Sequence, residues 1–201
     1  MPLRKLRNKA TLIMELNNNK LFVISDTHFF HSNIIKYCNR PFENSFLMNK
    51  ALIENWNNAV NKNDVVLHLG DICVGAGKNR DQKTQEILSQ LNGKKIFVRG
   101  NHDYDIECVE LLDALTFFWN GIRIHCTHYP DPKFQPFGDF HLHGHIHQNT
   151  IDLKNSFNCS VEQINYTPIR LSEIIEKHYD SKINSGGSDT VRELREAGLG
   201  S

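Results

Sequence analysis

Three short apolar runs, each closing on residues able to bind a metal, constrain this chain more than any other feature. Asp64-Val65-Val66-Leu67-His68-Leu69-Gly70-Asp71 is strand-like, stops at a glycine and then presents a carboxylate. A buried strand of an α/β sheet ends this way at the edge where sites form. Upstream, Leu21-Phe22-Val23-Ile24-Ser25 ends in Asp26-Thr27-His28; downstream, Lys95-Ile96-Phe97-Val98-Arg99 ends in Gly100-Asn101-His102-Asp103. Carboxylate, amide and imidazole groups delivered at three strand ends are the layout a two-metal site requires. A carboxylate such as Asp71 can bridge two cations about 4 Å apart, close enough to clamp one phosphoryl group.

The chain of 201 residues suits one domain with a substantial core. Lys plus Arg and Asp plus Glu both number 23, so the strongly basic footprint of a long nucleic-acid binder is missing. Five cysteines (Cys38, Cys73, Cys108, Cys126, Cys159) lie without a CxxC spacing, which reads as reduced thiols in an intracellular protein. Cys126 alone is worth watching, two residues before His128. The apolar run after the basic start is too short for a signal sequence, and no stretch approaches the roughly 20 apolar residues of a membrane span. A cytoplasmic location without membrane contact is the expectation.

Residues 1–20 read as a peripheral segment, 21–180 as the catalytic domain, and 181–201, polar and Gly/Ser-rich, as a flexible tail or artificial remnant. A short helix capped by Ser32 is expected after the first strand. An amphipathic helix over 45–60 carries Met48, Leu52, Ile53, Trp56 and Val60 on one stripe, and a second over 81–91 ends before Gly93. Both suit crossovers between parallel strands. Residues 106–112 look helical. Asn120-Gly121, between the apolar run 115–119 and the alternating run 122–128, is a strong hairpin signal and suggests a second, mostly antiparallel sheet.

Asp26-x-His28, Gly70-Asp71, Gly100-Asn101-His102-Asp103, His128 and Gly144-His145-Ile146-His147 follow one another, most of them directly after an apolar run. This order resembles the calcineurin-like metallophosphoesterases, with their DxH, GD, GNHD/E, H and GHxH signature, over roughly residues 20 to 175. The stretch from Asp26 to Ile35, with Arg40-Pro41-Phe42 and Asn55-Trp56-Asn57, resembles a small, uncapped bacterial and phage branch. The resemblance implies an α/β fold, a four-layer α-β-β-α sandwich of two mixed sheets. It implies one metal on Asp26, His28, Asp71 and His147 and a second on Asp71, Asn101, His128 and His145.

The chemistry expected is hydrolysis of a phosphodiester or phosphomonoester by a metal-bridging hydroxide. Carboxylate, imidazole and amide ligation without thiolate favours two transition-metal ions, Mn²⁺ first and Fe, Zn or Ni next, over Mg²⁺ or Ca²⁺. His102 is the candidate to bind a phosphate oxygen or protonate the leaving group, with Asp103 holding its other ring nitrogen; the alternative is a histidine that only braces its loop. His31, three residues after His28, is a substrate contact or a helix cap. Arg40 and Arg99 are further candidates to meet a phosphate, against solvated or structural roles. In the tract 141–147 histidine recurs at every second position, but only His145 and His147 fit the signature. His141, His143 and His68 are then supporting residues.

The protein-phosphatase branch continues its GD with Asp-Arg-Gly, whereas Ile72-Cys73-Val74 follows Asp71 here. A small phosphate ester, a nucleotide or a short nucleic acid is therefore the expected substrate. A nuclease acting on nucleic-acid ends is the rival enzymatic reading, and a metal-free protein-binding scaffold the non-enzymatic one.

Overall fold

The computed structural model describes residues 20–75, 77–104, 106–134 and 137–179. The peripheral segment before residue 20 and the tail from 181 lie outside the described residues. Two mixed sheets form the centre, flanked by helices. In the first, β1 (Leu21–Ile24), β2 (Val65–His68), β3 (Lys94–Val98) and β4 (Leu111–Leu112) run parallel in the order β4-β3-β2-β1. A two-residue strand, β9 (Ile169–Arg170), adds antiparallel to β1. β1 is buried along its whole length because both its faces are covered. Phe22 and Ile24 pack with Met48, Leu52 and Trp56 of α2 (Ser45–Ala59) and Ile87 of α3 (Arg80–Gln90). Leu21 and Val23 face the other sheet. An apolar run without alternation is the mark of such a two-sided strand.

In the second sheet β5 (Leu115–Trp119) and β6 (Ile122–Cys126) form the expected hairpin, closed by Asn120 and Gly121, both at positive φ. β7 (Phe140–His143) and β8 (Ser156–Asn158) then add in parallel, so this sheet is mixed rather than mostly antiparallel. Leu115, Phe117, Ile124, Phe140 and Leu142 fill the space between the sheets, joined by Leu171 and Ile174 of α4 (Leu171–His178). α4 touches β1, β9 and β8, closing the end where the sheets meet. Phe134 stacks on His141 from the outside, its ring centroid 5.0 Å away.

Two local expectations need correction. Residues 106–112 form no helix. Asp81, in the first turn of α3, accepts the amide N–H groups of Glu107 and Cys108 at 2.8 and 2.7 Å, which holds this stretch extended until it pairs as β4. Ser32 does not cap α1 (Ser32–Tyr37): His31 occupies the cap position with no side-chain bond, and the Ser32 hydroxyl donates to Ser45. The cap that does form is Asn44, whose side chain accepts from Leu47 N–H at the start of α2. No helix among the described residues is long and apolar enough to cross a membrane.

Candidate metal centre

β1, β2 and β3 pair with Ile24 opposite His68 and His68 opposite Phe97, so the loops leaving their C-terminal ends start side by side. Backbone bonds continue past the strands: Asp26 N–H donates to Gly70 C=O and His28 N–H to Asp71 C=O, both at 3.0 Å. The loop after β6 meets the loop after β7 through Gly144 N–H and His128 C=O. A Cβ on Gly100 would overlap the Asp71 amide and carboxylate, and one on Gly144 would overlap the side chains of Ser25 and Asp26. Only glycine lets these chains approach so closely. Asp26, His28, Asp71, His145 and His147 all sit at positive φ, between 49° and 72°, a conformation non-glycine residues hold only where their surroundings compel it.

The seven residues singled out in the sequence as ligands come together. Asp71 Oδ2 lies 3.4 Å from His28 Nε2 and 3.5 Å from His128 Nε2, at the middle of the group. Asn101 Oδ1 is 2.9 Å from His128 Nε2 and 3.0 Å from His145 Nδ1. Ligand atoms of Asp26, His28 and His147 lie within 4.8 Å of one another, as do those of Asp26, Asp71 and His128. Each set could hold a cation.

The donor atoms fit that use. Asp26 Oδ1 and both ring nitrogens of His28 are buried without a hydrogen-bond partner, an arrangement that costs roughly 1–3 kcal/mol per group unless something answers them. The Leu69 carbonyl, which can only accept, lies 2.8 Å from His128 Nδ1 and places the proton there. His128 Nε2 then faces Asp71 Oδ2 at 3.5 Å and Asn101 Oδ1 at 2.9 Å, and a cation among these atoms would also answer Asp26 and His28.

The electrostatics of His28 and Asp71 run the same way, while the metal-free His128 is drawn towards its protonated form by the carboxylates. Burial holds His28 well below its ordinary range, against the opposing pull of Asp71, which keeps the ring neutral and able to ligate. Burial pushes the Asp71 carboxyl up, but the contacts with His128 and His28 outweigh it and Asp71 stays ionised. For His128 burial lowers the value and Asp71 and Asp26 raise it further, for a net rise.

Supporting residues complete the site, and several were not legible in the sequence. Glu162 Oε1 lies 3.1 Å from His147 Nδ1 and accepts from Arg40 Nε at 2.9 Å and Nη2 at 2.8 Å. Arg40 also donates to the carbonyls of Asp26 and Thr27. Ser160 donates its hydroxyl to Asp26 Oδ2 at 2.8 Å. Arg80, buried under the site, donates to the carbonyls of Cys73 and His102. Of these only Arg40 stands in a stretch the sequence singled out; Glu162, Ser160 and Arg80 belong to no motif.

One sequence expectation changes here, that for Asp103, and two candidates, Arg40 and Cys126, take the structural alternative. Arg40 is 4% exposed with its donors engaged, so it braces the first motif and is not free to meet a phosphate. Asp103 does not hold the His102 ring: its carboxylate accepts the amides of Asp71, Ile72 and Gly100 at 2.7 to 3.0 Å, tying the second and third motifs together. Cys126 is sealed between the sheets, where burial pushes its thiol up out of the reactive range.

His102 itself stands at the rim, its ring 5.6 Å from that of His28, while its backbone N–H donates to Asp71 Oδ1 at 2.9 Å. His31 lies 5.5 Å from His28 with a buried, unpartnered Nδ1. Arg99 pairs with Asp113 at 3.4 Å near the surface. His68 is neutral, held down to about 3 by burial, and reaches Thr27 Oγ1 at 3.0 Å. His141 bonds Thr127 at 2.8 Å, and His143 faces the Gly144 carbonyl at 3.0 Å.

The chain is similar to known proteins in sequence and in fold. An uncharacterised protein of Methanocaldococcus jannaschii is 43% identical over 169 residues, spanning 80% of this chain and 92% of that protein. The crystal structure of a protein of unknown function from Aquifex aeolicus superposes with a TM-score of 0.63 at 28% identity, covering 78% of this chain and 97% of the other. The family model described as calcineurin-like phosphoesterase matches residues 20–196. With that match over residues 20–196 and the motif residues gathered where the strand ends of the two sheets meet, the chain belongs to the calcineurin-like phosphoesterases.

Proposed function

We propose that this protein hydrolyses phosphate esters at a pair of divalent metal ions. Asp26, His28, Asp71 and His147 would hold one ion, and Asp71, Asn101, His128 and His145 the other. The observation that carries this reading is the convergence of buried ligand atoms without hydrogen-bond partners around Asp71 Oδ2. Two such ions supply a nucleophile at neutral pH and neutralise the phosphoryl oxygens. The donor set, without thiolate, favours Mn²⁺, with Fe, Zn or Ni as the other candidates.

The remaining work falls to the chain. His102, fixed by its N–H to Asp71 and its carbonyl to Arg80, is placed to give a proton to the leaving oxygen. His31, its ring 5.5 Å from that of His28, is the further candidate to meet a phosphate oxygen. The resemblance of the Asp26–Ile35 stretch to the small, uncapped branch favours small phosphodiesters or monoesters as substrates. A cytoplasmic setting agrees with the five free cysteines.

The test is direct. Chelator-dialysed protein should not hydrolyse an aryl phosphodiester, and Mn²⁺ should restore turnover with about two ions bound. Asp71→Asn should lose both metal and turnover. Turnover that survives chelation, or survives Asp71→Asn, refutes the assignment.

A further inference from the structure

His147 has two ring nitrogens and two sets of neighbours. One set, Asp26 and His28, belongs to the metal centre. The other is Cys38 and Glu162, whose ligand atoms lie with that of His147 within 4.8 Å of one another. This second set comes from outside the strand-end motifs. Cys38 follows α1 at its C-cap, fixed by its N–H to the Ile34 carbonyl at 2.9 Å, and is 9% exposed. Glu162 stands in the loop after β8, its side chain 4% exposed. Arg40 and His147 Nδ1 both meet Glu162 Oε1, while Oε2 is buried without a hydrogen-bond partner. A buried carboxylate oxygen left unanswered is unfavourable, and a cation is what would answer it.

The chemistry of this set differs from that of the metal centre. Thiolate, imidazole and carboxylate together are ligands for Zn²⁺ and for softer ions such as Cd²⁺, whereas Mn²⁺ binds thiolate weakly. His147 Nδ1 and Glu162 Oε1 are 3.1 Å apart, close to the separation of two ligands on one tetrahedral ion with bonds of about 2.0–2.2 Å. A thiolate and the Glu162 carboxylate carry two negative charges against the one positive charge of Arg40, so the set favours a divalent cation. We propose that Cys38, His147 and Glu162 form a site for a thiophilic divalent cation, separate from the catalytic pair, and that filling it draws His147 away from Asp26 and His28. On binding, the thiol and Nδ1 protons pass to solvent, and Sγ, Nδ1 and Oε2 become the ligands. Inhibition of turnover by such an ion rests on the phosphoesterase reading; the binding itself does not.

Cd²⁺ added to the full chain in excess Mn²⁺ is the probe. It should give a saturable ultraviolet thiolate-to-cadmium charge-transfer band, and Cys38→Ser should abolish that band. Cys73, Cys126 and Cys159 are 0% exposed, while Cys108 is partly exposed, so Cys108→Ser is the control that should keep it. In the same samples Cd²⁺ should inhibit hydrolysis of an aryl phosphodiester, each protein being compared with its own rate before Cd²⁺. Cys38→Ser should need at least about tenfold more Cd²⁺, since even a supporting partner of a metal ligand is worth about 10–100-fold in affinity. No band in the native protein, a band unchanged in Cys38→Ser, a band lost in Cys108→Ser, or equal inhibition of native and Cys38→Ser protein overturns the proposal. Should Cys38→Ser fail to fold, Cys108→Ser decides, because Cys38 is then the least buried thiol left. Should no ester be hydrolysed, the phosphoesterase reading falls on its own. The band still decides the site, and calorimetry decides the competition: Cd²⁺ weakening Mn²⁺ binding about tenfold in native protein but not in Cys38→Ser upholds it, and Mn²⁺ binding indifferent to Cd²⁺ refutes it.

Discussion

Replacing Glu162 with alanine probes how far the metal centre depends on a residue outside every motif. Glu162 Oε1 serves Arg40 at 2.8 and 2.9 Å and His147 at 3.1 Å, on a side chain only 4% exposed. Removing one partner of a buried ion pair costs about 3–5 kcal/mol, because the other charge is left stranded. Arg40 would keep the carbonyls of Asp26 and Thr27 at 2.8 and 3.0 Å, so the loss belongs near the lower end, about 3 kcal/mol. His147 would lose the acceptor that fixes its Nδ1 proton and directs its other nitrogen. Partners of that kind are worth about 10–100-fold in metal affinity. Glu162→Gln separates the two effects, since its amide oxygen can still accept from Arg40 and His147 while the charge is gone. Urea unfolding of chelated protein reads the first quantity, and calorimetric titration with Mn²⁺ the second. If Glu162→Ala binds Mn²⁺ within about twofold of the native protein, against the loss expected of such a partner, the positioning role is refuted.

His102→Ala should keep its metal content while kcat falls about 10²–10⁴-fold; unchanged turnover would remove His102 from the chemistry. Gly100→Ala should lower stability by roughly 1–3 kcal/mol and reduce bound metal, because the added methyl meets the Asp71 amide and carboxylate. Metal retention equal to native would show that the close approach is dispensable. Burial lowers His147, but Cys38 and Glu162 outweigh it and push the ring from 6.5 up to about 10 in the metal-free protein. A folded value above the unfolded one means this stabilisation is fully present below pH 6.5 and lost as pH rises to about 10. Thermal melts of chelated protein across that window check it. Metal binding must expel the same proton, so calorimetry near neutral pH in buffers of different ionisation enthalpy should show proton release.

What was legible in the sequence was whatever local chemistry dictates. The three parallel strands announce themselves as apolar runs that stop at a turn, β1 buried throughout and β2 and β3 buried towards their C-terminal ends. The ligands were legible because they follow those runs at once and carry glycine where chains must touch, as at Gly100 and Gly144. Contacts made across the fold were not. Glu162 reaches Arg40 over 122 positions and Ser160 reaches Asp26 over 134, separations at which no spacing rule operates. Asp103 was placed on His102 because the two are adjacent, yet its carboxylate is buried and turned to three amides of other loops. The two-residue β9 has too few residues to show any alternation. The helical look of 106–112 gave way to two hydrogen bonds from Asp81.

Five of the seven proposed ligands sit at positive φ, and that distribution decides how metal and fold are coupled. Strain of this kind costs of order 1–3 kcal/mol per residue and persists only where neighbours over-determine it. Those neighbours are protein groups. Asp26 and His28 are tied by their amides to Gly70 and Asp71, and Asp71 by its own amide to Asp103. The His147 carbonyl accepts from Asn158 and Gln163 at 2.8 and 3.0 Å. The turns of the site are thus held by hydrogen bonds of the chain itself, to backbone carbonyls and to the side chains of Asp103, Asn158 and Gln163. The protein should therefore remain folded when chelated, unlike domains whose folding is the binding of metal. Adding Mn²⁺ at a hundredfold excess over its Kd should then raise stability by about 2.7 kcal/mol for a single site. Near-UV circular dichroism and urea unfolding, with and without chelator, measure both. Loss of tertiary signal on chelation would mean that the ions, and not the amides of these loops, hold the left-handed turns in place.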